Sequence, residues 1–159
     1  MRLCLVAIFC ALSAVGARMT IFSSVALDSL PAFLAAMLLG GPEGAVVGAA
    51  GHMLTAALSG FPYTLPLHLV IAAEMAGICY FGGFLTRKIR APFWLVAVIT
   101  FILNAFVSPL ILLVWPGMGM AACLTLLVPL TIGSAVNSAG AAVLAYALRK
   151  PFTHIIGNI

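Results

Sequence analysis

Apolar positions along this chain fall in long Ala-, Leu-, Val- and Ile-rich blocks without period-two alternation, so the blocks predict helices rather than barrel strands. The first block covers about residues 3–17 and stops at Arg18. After a mixed stretch, Asp28-Ser29-Leu30-Pro31 has the form of an N-cap followed by an early proline and predicts a second helix over about residues 30–39. The turn Gly40-Gly41-Pro42-Glu43-Gly44 joins it to a third, over about residues 44–58, as a helical hairpin. Gly60, Pro62 and Pro66 then separate off a fourth helix, about residues 65–86, which ends at Arg87-Lys88-Ile89-Arg90. A fifth spans about residues 92–115, and Pro116-Gly117-Met118-Gly119 divides it from a sixth over about residues 120–148, which Arg149-Lys150-Pro151 closes. The expected fold is all-α, a single domain over residues 1–159 made of six short helices. Several have only about 15 residues, or roughly 22 Å, against a hydrocarbon core of roughly 30 Å, so they must be buried among neighbours or extended by loops at membrane depth.

Composition turns this helical reading into an integral membrane protein. Hydrophobic residues make up 65% of the chain and charged residues 6%, with a mean hydropathy of +1.29. A soluble domain could not cover that much apolar surface; the bilayer is the solvent, and there the helix satisfies the backbone internally. The net charge of +4 would suggest acidic partners in a soluble protein. Here the basic residues sit at helix ends, and no nucleic-acid partner is implied. Six spans place Arg2, Arg87, Lys88, Arg90, Arg149 and Lys150 on one side and only Arg18 on the other, which the positive-inside rule reads as both termini cytoplasmic. Removing or adding one span would split the basic clusters between the two faces. Cys4, Cys10, Cys79 and Cys123 lie in apolar blocks without metal-ligand spacing and read as free buried thiols. Residues 1–17 also fit a cleavable leader, the alternative to an uncleaved first span.

Motifs exclude more than they assign. There is no phosphate-binding G-x-x-x-x-G-K-[ST], no dinucleotide fingerprint and no nucleophile with a neighbouring base. The chain is therefore not expected to be an enzyme or to need a cofactor, and any ATP hydrolysis must come from another chain. What remains is polar residues at membrane depth, costly enough there that a functional role is the default expectation. His52 and Glu74 lie two to three turns below the loop that links their helices, close enough to meet. Glu74 is flanked by apolar residues and should find an interior partner in His52, His68 or Arg18. Arg18, Asp28, Tyr63, His68 and Trp115 gather toward the face opposite the basic clusters, the outer face of this topology. Each also has a structural reading: Arg18 can snorkel to headgroups, Asp28 can cap the second helix, and Asn104 and Asn137 can bond across helices five and six. Tyr63 and Trp115 can anchor the interface or stack over an aromatic ligand. Ala7-x-x-x-Ala11 and Gly44-x-x-x-Gly48 allow close helix approach, as an internal seam or as a partner surface.

With its six short helices, its length, Ala7-x-x-x-Ala11 in helix one and Leu38-Leu39-Gly40-Gly41-Pro42-Glu43-Gly44 between helices two and three, the whole chain resembles the S components of energy-coupling factor (ECF) vitamin importers. The resemblance implies a substrate-binding subunit in a prokaryotic cell membrane, with Ala7 and Ala11 docking on a transmembrane T subunit and two ATPase subunits completing the complex. It also implies a vitamin site near the outer face, which Arg18, Asp28, His52, Tyr63, His68, Glu74, Asn104, Trp115 and Asn137 would build. The segments around Asp28, around His52 and from Gly60 to Leu69 look most like the branch assigned to α-ribazole, a cobalamin precursor. A nickel- or cobalt-binding relative is the runner-up, with His52, His68 and Glu74 as ligands, but the N-terminal histidine of that relative is missing from Met1-Arg2-Leu3. A small structural membrane protein would account for the helices without accounting for interior histidines and Glu74.

Overall fold

The computed structural model describes residues 2–18, 20–21 and 25–156. Its helices are α1 (Arg2–Gly16), α2 (Leu30–Leu38), α3 (Gly41–Leu58), α4 (Leu65–Ile89), α5 (Phe93–Val114) and α6 (Met120–Ile156). Between α1 and α2, β1 (Thr20–Ile21) and β2 (Val25–Ala26) form a minimal antiparallel pair, Thr20 opposite Ala26. The protein is an all-α membrane protein, as the sequence predicts, but its helices are not uniformly short. Leu65–Ile89, Phe93–Val114 and Met120–Phe152 run 25, 22 and 33 residues and are long and apolar enough to cross a membrane. Two boundaries also differ from expectation. Helix α3 begins at Gly41, with Pro42 in its first turn, where the missing proline N–H costs nothing. Helix α6 continues through Pro151, since the carbonyl that loses its donor belongs to exposed Ala147 near the helix end.

Helix α2 organises the bundle. Its 9 residues rise only about 13 Å, too little to cross, and Pro31 through Leu38 are all buried. Around it the helices approach through small residues, because apolar burial gives neighbouring helices little drive in lipid and close backbone contact replaces it. Helix α3 shows this on three sides. A Cβ at Gly44 would stand 2.7 Å from Ala36 on α2, one at Gly48 would stand 2.8 Å from the Met75 carbonyl on α4, and one at Gly51 would stand 2.9 Å from Ser13 on α1. Gly44-x-x-x-Gly48 is thus an internal seam. Ala7 and Ala11 differ, for both are exposed on α1 beside Leu3, Ile8 and Leu12.

Two polar contacts tie one end together. Arg2 donates from Nη1 to Glu43 Oε1 at 2.9 Å, and Arg87 donates from Nη2 to the carbonyl of Leu38, where α2 ends. This basic end carries the α2–α3 turn. The opposite end carries the β1–β2 pair, the 59–64 loop and the 115–119 turn.

Candidate ligand-binding site

The connection from β2 into α2 is held from across the bundle. Asn137, near the middle of α6, accepts a hydrogen bond from the Leu30 N–H at 3.0 Å, and its Nδ2 donates to the carbonyls of Ala26 and Gly133, each at 2.9 Å. Asp28 is therefore not the cap that the sequence suggests. Ser29 occupies the cap position without a capping hydrogen bond, and an amide 107 residues further along the chain supplies the acceptor. The physical reason is that the connection dips between the helices, where its backbone groups need protein partners.

Asp28 and Ser29 are thereby freed to line a cavity of about 230 Å³, together with His52, Tyr63, His68 and Asn104. A second cavity of about 210 Å³ shares Asp28, Ser29 and Asn104 and extends to Ser134 and Asn137. One wall is aromatic. His52 Nε2 lies 3.2 Å from His68 Nδ1, and the Phe61 and Tyr63 rings sit 5.6 and 6.0 Å from the His68 ring. His68 is 4% exposed, and its Nε2 has no hydrogen-bond partner among the described residues.

Polar groups of the lining come from an irregular part of α5. Its α-helical ladder gives way to a π turn at Leu103–Val107 and a 3₁₀ turn at Ser108–Leu110, with Pro109 inside the latter. Such turns re-aim side chains and recur at functional sites. Here Asn104 Nδ2 donates to Ser134 Oγ at 2.8 Å, and Ser108 Oγ donates to Asn104 Oδ1 at 3.4 Å. Asn104 is at once a bond between α5 and α6 and part of the cavity wall.

Of the residues singled out in the sequence, Asp28, His52, Tyr63, His68 and Asn104 meet at the first cavity and Asn137 at the second. Arg18 is exposed in the turn after α1, and Trp115 is half-buried in the turn after α5; neither lines either of these two cavities. Glu74 stands behind the wall. Six residues separate it from His68, which at 3.6 residues per turn points it about a third of a turn away, whereas Ile71 and Met75 share the His68 face and line the cavity. The expected partnership with His52, His68 or Arg18 does not form, because the histidines bond to each other. Both Glu74 carboxylate oxygens are buried without a hydrogen bond among the described residues, with Ser108 as a polar neighbour. Sequence reasoning passed over Ser29, Ser108 and Ser134. The four-residue spacings Asn104/Ser108 and Ser134/Ser138 inside apolar helices were the available signal, since they put polar groups in line on one face.

Comparison with known families matches the chain to the family described as ECF-type riboflavin transporter, S component, over residues 1–153. No curated protein and no solved structure matches.

Proposed function

Because the chain belongs to the ECF-type riboflavin transporter S component family, we propose that its paired cavities capture a small water-soluble vitamin or precursor at the outer face. Transport is then driven by a T subunit and two ATPase subunits, since the chain has no nucleotide motif of its own. The basic end lies in the cytoplasm, as its Arg and Lys residues favour, and the cavities open toward the other side.

The observation that carries this reading is the mixed lining of the first cavity, where Tyr63 and the histidine pair supply rings and Asp28, Ser29, Asn104 and Ser108 supply carboxylate, hydroxyl and amide groups. Rings recognise a flat aromatic system by stacking or edge contact, and a row of carboxylate, hydroxyl and amide groups recognises a polyol. Riboflavin and α-ribazole both answer that description, each a dimethylated fused heterocycle bearing a ribose-derived chain or sugar. The first cavity alone, about 230 Å³, is below the 300–1,000 Å³ typical of drug-sized ligands, so a ligand draws on the second, of about 210 Å³, as well; α-ribazole, with two fused rings against the three of riboflavin, asks for less of that space. Nickel or cobalt is less well supported, because Glu74 is turned away from the histidine pair and no group of three His, Cys, Asp or Glu converges among the described residues.

Titration of the purified protein with α-ribazole, riboflavin, nickel and cobalt tests the reading. α-Ribazole is expected to bind at least tenfold more tightly than riboflavin; tighter riboflavin binding would reassign the substrate, and a metal as the only ligand would overturn the vitamin reading. Within the same site, Asn104→Ala should weaken binding about tenfold, the scale of one buried hydrogen bond lost together with its partner. Glu74→Ala should weaken it less, because Glu74 acts on the ligand only through Ser108 and Asn104. If Glu74→Ala proves the costlier of the two, the carboxylate touches the ligand directly.

A further inference from the structure

A cavity at the basic end has no part in vitamin capture. It measures about 360 Å³, and Arg2, Arg87 and Lys88 line it with Glu43 as the one carboxylate. Glu43 is paired with Arg2 and also acts on Arg87, so three cations share one carboxylate and the lining keeps an excess of positive charge. Arg87 has one donor committed to the Leu38 carbonyl, while its Nε is buried and makes no hydrogen bond among the described residues. Gly40, at φ +122°, carries the chain past this guanidinium; a Cβ there would stand 3.6 Å from Arg87 Nε and 3.6 Å from Glu43 Oε2. The α2–α3 turn thus forms one side of the cavity, with Arg87 beside it in the lining.

The remaining wall decides what kind of anion fits. Tyr80 and Phe84, which also line the cavity, are 53% and 40% exposed on the outside of α4, about two turns and one turn from Arg87 and Lys88. Aromatic side chains at that position suit the zone where headgroup meets acyl chain. A free anion would gain nothing from them, whereas a phospholipid would place its phosphate among the cations and its glycerol and chains against Tyr80 and Phe84.

We propose that this cavity is a binding site for the phosphate of an anionic phospholipid in the cytoplasmic leaflet, held by Arg2, Arg87 and Lys88. Basic pockets between helices on the cytoplasmic side bind such headgroups, at about 1 kcal/mol per Lys or Arg near the surface, which is about fivefold in affinity per cation.

Native mass spectrometry of the full chain, titrated with phosphatidylglycerol, cardiolipin or phosphatidylcholine, provides the test. The wild-type protein should retain the anionic lipids in preference to phosphatidylcholine. The double variant Arg2→Gln/Lys88→Gln should lower that retention by roughly twentyfold, with its helical circular dichroism unchanged. Arg87 is left intact because it also holds the end of α2. As a control, Arg90→Gln/Arg149→Gln removes the same charge from a different cavity at the same end and should leave retention within about twofold. Equal loss in both double variants would mean general surface charge and would overturn the site, as would equal retention of phosphatidylcholine. Millimolar inorganic phosphate should not compete; if it displaces the lipid fully, the site takes soluble anions and the lipid assignment fails.

Discussion

Asn137→Ala is expected to lower vitamin affinity by about ten- to a hundredfold, more than loss of any side chain on the aromatic wall. The substitution leaves the Leu30 N–H and the Ala26 carbonyl without the partners they have now. Each buried orphan costs about 1–3 kcal/mol, and the chain can avoid that cost only by moving the connection that carries Asp28 and Ser29. Both residues line both cavities, so displacement removes polar groups from the lining of each. Ligand titration and thermal melting of the same variant check this. A lower melting temperature with unchanged affinity would show that the connection keeps its place without Asn137.

Ala7→Trp should abolish vitamin uptake in cells carrying the complete transporter while leaving the affinity of the isolated subunit within about twofold. Exposure of Ala7 and Ala11 on α1 supports the docking face, because both side chains point away from the described part of the bundle. A bulky residue there would hold off a second helix, and small residues are what permit close approach in lipid. Gly48 provides the contrasting case: there any side chain meets the Met75 carbonyl and the Cys79 sulfur, so Gly48→Val should impair folding first. Co-purification with the T subunit and titration of the Ala7→Trp subunit separate the outcomes. Lost assembly with intact binding fits the docking face; lost binding with intact assembly would reject it.

Two spacings of the same form, Ala7-x-x-x-Ala11 and Gly44-x-x-x-Gly48, thus end in different places, and no local feature distinguishes them. Both mark where another helix can come close. Whether that helix belongs to the same chain depends on which faces α1 and α3 turn inward, and the hydrophobic pattern cannot say, because lipid-facing and core-facing positions are equally apolar. The same blindness affected Glu74, whose cost in lipid made it conspicuous but whose direction on α4 followed from how that helix rotates to pack against α3.

The sequence by itself determined the solvent, the helices and the grouping of charge. Each follows from a preference that acts residue by residue: apolar side chains for lipid, backbone groups for the helix in the absence of water, and Arg and Lys for the cytoplasmic side. Turn residues placed most of the boundaries for the same reason. Only the tertiary structure decided that a 9-residue helix lies at the centre, that an amide on α6 caps it, and that the histidines pair with each other while Glu74 stands aside. These are matters of which polar group reaches which across distances of up to 107 residues in the chain. Inside a bilayer an unpaired backbone amide is too costly to leave, so the fold, rather than any local motif, selects the partner.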